Sequence, residues 1–295
     1  MPHDRIAELI APLRVRPGSK VRLPKDFDPG YTGDLIDKAA GTELLQRGVA
    51  MLADFQSRLA AQHTNGLLVV LQALDAAGKD GTIRHVMSGV NPQGVRVHSF
   101  KVPSAEELDH DFLWRYATRL PARGEIAIFN RSHYEEVLVV RVHPELLDRQ
   151  RLPQQARTGA VWRRRFQAIN NFERHITDSG FRIVKLFLNV SKEEQRKRLL
   201  ARIDRPEKNW KFSAADLRER GHWRQYQQAY ADMLTHTSTE HAPWHVIPAD
   251  HKWFSRIAAA AVIVNALDGI DPQYPVLDTR ARRELQEVRG ALENE

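Results

Sequence analysis

A chain of 295 residues with 42% apolar content can bury one large core, and without cysteine it has no disulfides, no thiolate catalysis and no cysteine-held zinc. Charged residues make up 27% and the longest apolar runs are strand-sized, so no segment reads as a membrane span. A net charge of +7 and a sequence pI of about 9.7 suit a polyanionic partner, whether nucleic acid, an anionic membrane or a chain of phosphates.

Residues 1–33 are rich in Pro, Gly and charge and predict an irregular arm; they carry no apolar signal-peptide core, and with the absence of cysteine this fits a cytoplasmic protein. From Asp34 to about Gln62, Leu45, Val49, Leu52, Phe55 and Leu59 form a helical stripe. Five strand-like segments follow, at 67–72, 95–100, 125–130, 181–190 and 244–249, each apolar and separated from the next by helical patterns. Continuous apolar strands alternating with helices predict a parallel sheet covered on both faces. Trp162, Phe166, Ile169, Phe172 and Ile176 mark a helix within Gln154–Ser179. "SAAD" at 213–216 signals the start of another, running to about Thr235. Pro272 and Pro275 end the last core helix, and the charged tail from Thr279 reads as peripheral. The expected division is an arm and helix (1–62), a core (63–270) with a lid at about 198–236, and a tail (271–295).

Three stretches carry chemistry. In "LLVVLQALDAAGKDGTIRHV" (67–86) a strand runs through a small-residue turn into a helix, the arrangement that gathers backbone N–H groups and a helix N-terminus at one point. Lys79 follows Gly78 as the cation for phosphate, but Ala73 stands where the full phosphate-loop pattern has its first Gly, and Asp80 where it has Ser or Thr. A sharp turn that needs small residues for steric reasons would look similar. Without the hydroxyl, a hard cation must take other oxygens, and Asp75 is the natural supplier; a carboxylate facing phosphates makes sense with Mg2+ between them. In "EIAIFNRSHYEEVLVVRVHPELL" (125–147) a strand ends at Asn130, where an open parallel sheet contacts its ligands, and Arg131 offers a fork for phosphate oxygens. Glu135 and Glu136 suit metal or nucleotide contact, or simply an acidic helix start; His133 is not assigned a catalytic part. The segment 196–224 holds ten Lys or Arg against four Asp or Glu, which reads either as a solvated helix pair or as a lid closing over phosphates. A further run, Arg163 to Arg165, is expected to extend the positive surface.

Together these stretches resemble the second family of polyphosphate kinases, whose fold is similar to that of thymidylate kinase. The matching words are "DAAGKDGT" with "NPQGV", "FNRSHYE", and "RPEKNWKFS…D" followed by "TSTEHAPWHVIPADHKWF", spanning Leu67 to Phe254. The resemblance implies a three-layer α/β/α sandwich on a five-stranded parallel sheet, of P-loop kinase type, with a helical lid. It implies catalytic roles for Asp75, Lys79, Asn130 and Arg131. Ala76, Ala77, Gly78, Asp80, Gly81, Glu135, Arg198, Arg202 and Lys211 match nucleotide- or polyphosphate-binding positions, with Asp75 and Glu136 toward Mg2+ or Mn2+. Asn130 in place of an Asp resembles the class III subgroup, associated with phosphorylating nucleoside mono- and diphosphates from polyphosphate; a neutral amide is a poorer Mg2+ ligand, which shifts that duty toward Glu136. The implied partners are polyphosphate and adenine or guanine nucleotides, with no nucleic acid and no membrane, in a dimer or tetramer. Two other readings share the composition. An ATP-dependent nucleotide or metabolite kinase would carry Ser or Thr after Lys79, and a basic nucleic-acid-binding protein would leave Asp75 and Glu136 without a role.

Overall fold

The computed structural model of the chain describes residues 3–33, 38–211 and 213–295. Five strands, β1 (Gly66–Ala73), β2 (Val95–Ser99), β3 (Ile126–Asn130), β4 (Phe181–Asn189) and β5 (Trp244–Pro248), form one sheet in the order β2-β3-β1-β4-β5. Every neighbouring pair is parallel. Each strand lies within a residue or two of its expected position; β1, β3, β4 and β5 are short runs too apolar to face water, while β2 at the sheet's margin is largely exposed. The helices are α1 (His3–Ile10), α2 (Lys38–Gln62), α3 (Lys79–Val86), α4 (Ala105–Asp109), α5 (Trp114–Ala117), α6 (Val139–Val142), α7 (Val161–Asp178), α8 (Lys192–Ile203), α9 (Ala214–Gly221), α10 (Trp223–Thr237), α11 (Lys252–Asp268) and α12 (Thr279–Glu293). They make this the expected three-layer α/β/α sandwich.

All eight residues of β1 are buried, and strand alternation divides them between two cores. Leu67, Val69 and Leu71 pack with Leu52 and Leu59 of α2 and the small-residue face of α11; Leu68 and Val70 pack with Phe166 and Ile169 of α7 and Met233 and Leu234 of α10. The strand order turns about β1, so the crevice for ligands opens at the carboxyl ends of β1 and β3. Asp75 and Arg131 follow those two ends directly.

Two expectations need amending, those for the arm and for the helix from Ser213. The arm is not wholly irregular: it contains α1, and it then runs along the outer side of β5, where Val15 N donates to Trp244 O (2.9 Å) and Ser238 Oγ donates to Val15 O (2.7 Å). The helix expected from Ser213 to Thr235 is two, since the chain breaks between α9 and α10 at Gly221–His222; glycine gives a helix interior little support. The tail forms α12, capped by Asp278 and buried nowhere. The start of α2 expected at Asp34 lies outside the described residues.

Candidate active site

Between β1 and α3 the chain turns through Leu74 to Gly78. Gly78 adopts φ +115°, open to glycine, and Ala76 φ +63°, a left-handed conformation that a side chain makes costly. The turn is held from behind by α8: Gln195 Nε2 donates to Asp75 O (3.0 Å), and Arg198 Nη1 donates to Ala76 O (3.3 Å) and Ala77 O (2.6 Å). In front, Lys79 Nζ donates to Ala73 O (2.9 Å), closing the turn on itself. Burial and then the charge of Arg131 push the Lys79 ammonium below its ordinary pKa, while Asp75, Glu135 and Asp80 pull the other way. A bound anion would relieve that cost.

Arg131 also sits at a left-handed φ of +66°, fixed by its amide donating to Leu71 O (3.1 Å). Its guanidinium bridges two acids, reaching Asp75 Oδ1 at 2.8 Å and Glu135 Oε2 at 3.3 Å. Glu135, and beyond it Asp75, hold the group charged against the effect of burial. Asn130 Nδ2 donates to Asp80 Oδ1 (3.0 Å) and lies 3.5 Å from Ser99 Oγ. Asp75, Ala76, Gly78, Lys79, Asp80, Gly81, Asn130 and Arg131 therefore line one cleft of about 600 Å3, while Ala77 is buried behind it.

Two unlike spaces adjoin that cleft. On the α8 side a trough of about 550 Å3 carries eight Lys or Arg, among them Arg84, Lys197, Arg202, Arg205, Lys252 and Arg256, against the single acid Glu194. On the β2 side a pocket of about 220 Å3 has mainly apolar walls, including Phe100, Val102, Pro103, Leu108 and Tyr116, with Arg115 and Arg131 at its polar points.

Not every expected site residue joins the cleft. Glu136 does not meet Asp75: its carboxylate is 4% exposed, accepting from Arg165 Nη1 (2.8 Å) and Gln150 Nε2 (2.7 Å) on the wall of the apolar pocket. Burial raises its pKa, opposed by Arg165. A carboxylate so engaged is a poor candidate to hold a metal, and Arg165, expected on the positive surface, is spent neutralising it. Arg198 faces the back of the loop, with all five N–H groups taken by protein oxygens. Arg202 lines the trough and also bonds Asp216 Oδ2 (2.9 Å). The side chain of Lys211 lies outside the described residues. His133 is wholly buried against Glu173, consistent with no catalytic part.

Asp216 is the acid that the sequence reading missed. It lines a small cavity of about 30 Å3 with Asp75, Arg131, Glu135 and Arg220, and burial, then the charge of Asp75, raises its pKa. The signal was the "D" of the third matching stretch, read there as part of a helix start. Gln195 was missed too, although its spacing of three from Arg198 puts both on one helix face. Among the described residues no group of three or more His, Asp or Glu is placed to hold a metal ion. Asp75 offers one carboxylate, which suits Mg2+, a cation that keeps most of its waters and takes its other ligands from substrate phosphates.

The chain matches the family described as Polyphosphate kinase 2 over residues 35–275. It is 50% identical over 284 residues to an ADP-polyphosphate phosphotransferase of Rhodopseudomonas palustris, covering 95% of this chain and 97% of that one. It is 46% identical over 271 residues to an AMP/ADP-polyphosphate phosphotransferase of Meiothermus ruber, covering 92% and 97%. A crystal structure of polyphosphate kinase 2 from Arthrobacter aurescens superposes with a TM-score of 0.83 at 44% identity, over 92% of this chain and 94% of that one.

Proposed function

The chain belongs to the polyphosphate kinase 2 family, and we propose that it transfers the terminal phosphoryl group of polyphosphate to AMP and to ADP, giving ADP and ATP. The observation that carries this reading is the contrast between the two spaces flanking one phosphate loop. Among the described residues the trough is lined by seven cations besides the fully engaged Arg198, against one acid, which suits an inorganic chain of phosphates better than the adenine of an ATP donor. The pocket beside Phe100 and Tyr116 suits a base, leaving the nucleotide phosphate near Arg131. Its polar lining includes the donors Lys101, Arg115, Arg131 and Arg149, which would fit acceptor atoms on the edge of adenine or guanine, while its acids Glu135 and Glu136 are already engaged by Arg131 and Arg165.

In the reaction a phosphate oxygen of the nucleotide attacks the terminal phosphorus of the chain in line, and the bridging P–O bond breaks. The shortened chain leaves with the bridging oxygen. The attacking oxygen is already anionic, so no general base is needed; the protein aligns two anions and offsets their charge. Arg131 lies between the cleft and the base pocket, where the transferred group would pass. Lys79 faces the cleft from the helix start and would follow the charge developing on the leaving chain. Mg2+, or Mn2+ in its place, would supply further charge neutralisation when bound, with Asp75 as its protein carboxylate. Removing the Lys79 charge in Lys79→Ala should cost about 3 kcal/mol of transition-state stabilisation, roughly a hundredfold in kcat.

The test is chromatography of nucleotides after incubation with Mg2+, long-chain polyphosphate and AMP. Successive appearance of ADP and ATP, lost in Asp75→Asn, is the expected result. Conversion only when ADP is supplied would overturn the dual acceptor. Transfer from ATP but not from polyphosphate would overturn the donor.

A further inference from the structure

We propose that Gln195 and Arg198 are positioning residues that splint the phosphate loop from behind, and that Arg198 acts through the loop's backbone rather than on a phosphate. The proposal rests on the reading of that loop as the donor's phosphate site. Three successive carbonyls, those of Asp75, Ala76 and Ala77, all turn toward α8 and are taken by these two side chains. A planar peptide points its N–H opposite to its C=O. Holding these three carbonyls therefore directs the N–H groups of Ala76 and Gly78 away from α8, while that of Ala77 returns to Leu74 O (3.3 Å). Backbone nitrogens so gathered bind anions. Ala76 also needs support at its φ of +63°, since left-handed backbone costs a non-glycine residue about 1–2 kcal/mol.

The stoichiometry of Arg198 makes the case specific. Its Nε donates to Glu194 Oε1 (2.7 Å), Nη1 to the two loop carbonyls, and Nη2 to Ala249 O (2.5 Å) and Asp250 O (3.1 Å). Five donors meet five protein acceptors, and the residue is 8% exposed. The fork thus ties the loop after β1 to the chain leaving β5. A lysine keeps the charge but has one nitrogen with three protons, and cannot span both segments.

The experiment compares Arg198→Lys and Gln195→Ala with the unaltered chain, using hydrogen exchange without ligand and tripolyphosphate binding by calorimetry across salt concentrations. A splint predicts faster exchange of the amides of residues 75–80 in both variants. It also predicts affinity weakened about tenfold in Arg198→Lys, the effect of losing about one charge-assisted hydrogen bond. The salt dependence should stay as in the unaltered chain, because the number of cations meeting phosphate has not changed. Gln195→Ala carries no charge change, but the side chain is buried and also accepts from Arg220 Nη1 (2.8 Å), so it is faster exchange at residues 75–80 together with weakened binding that assigns the effect to the loop. Arg198→Lys with near-normal affinity and loop protection would overturn the proposal, as would a Gln195→Ala variant indistinguishable from the unaltered chain. If exchange changes as expected while the unaltered chain fails to bind tripolyphosphate, the splint stands and the donor reading falls.

Discussion

Replacing Lys185 by Met tests how the second motif is held beneath the cleft. Lys185 of β4 and Glu173 of α7 are both wholly buried, 2.7 Å apart, and Lys185 Nζ also donates to Tyr134 Oη (2.9 Å) and Thr237 O (2.6 Å). Tyr134 Oη in turn donates to Glu173 Oε1 (2.7 Å), and His133 Nε2 lies 3.3 Å from the same oxygen. His133 and Tyr134 stand two and three residues beyond Arg131, so this network anchors the stretch that aims the guanidinium. Met fills the space of the lysine stem but leaves the Glu173 carboxylate buried without its cation, which should cost about 3–5 kcal/mol. That is a large share of a total stability of about 5–15 kcal/mol. The double variant Lys185→Met/Glu173→Leu removes both charges and should recover at least half of the loss, the remainder being the stranded Tyr134 hydroxyl, worth about 1–3 kcal/mol. Urea unfolding at pH 7 followed by circular dichroism measures all three proteins. A single variant costing under about 1 kcal/mol, or a double variant no more stable than the single, would refute the reasoning, since uncompensated burial is the source of the whole effect.

Two further predictions concern protons and cations. Burial, and then the charge of Arg14, push the pKa of His245 down to about 4. Between pH 6.5 and 4 the unfolded chain takes up a proton that the folded one refuses, so stability present above pH 6.5 falls by about 3 kcal/mol across that window. Denaturant midpoints at pH 7, 5.5 and 4.5 should show the decline, and His245→Gln should flatten it; an equal slope in both proteins would exclude His245 as the cause. Asn130→Asp exchanges a donor 3.0 Å from Asp80 for a second carboxylate. At this exposed position the repulsion should cost about 1 kcal/mol, the water-screened limit. The Tm of the variant should therefore rise more on adding Mg2+ than that of the unaltered chain, and equal shifts would count against cation binding between the two acids.

Most of the sheet was legible because β1, β3, β4 and β5 are short apolar runs between helical patterns, and burial on both faces of a parallel sheet leaves no other use for such runs; the exposed β2 was legible from its Val and Phe content alone. The loop residues were legible for a similar reason: small residues followed by Lys79 after an apolar strand have few other roles. What escaped was whatever depends on which way a long side chain turns. Glu136 reads in sequence as a metal or nucleotide contact and Arg165 as a surface charge, and only the packing of α7 on the second motif brings them together in the interior. Arg198 and Arg202 belong to one basic run and border the same trough, yet all five N–H groups of Arg198 are taken by protein oxygens while Arg202 gives one bond to Asp216. Lys185 gave no warning, because a lysine between Val184 and Leu186 can as easily mark a strand that faces water. The break at Gly221 was missed because a strong apolar periodicity resumes on its far side.

The course of the arm along β5 bears on how the sheet avoids pairing with strands of other chains as well as on how it folds. A five-stranded open sheet has two outer strands whose unpaired N–H and C=O groups would accept a strand from another chain. At β5 that place is taken by Arg14, which bridges His245 in antiparallel sense, and by Val15. At the opposite margin β2 is only five residues long and carries Arg96 and His98. A charge within so short a strand discourages a second copy from adding to it, even though Val97 is 48% exposed. One margin is thus closed by the chain's own N-terminal segment and the other blunted by length and charge, and removing residues 1–33 would open the first to strand-by-strand aggregation.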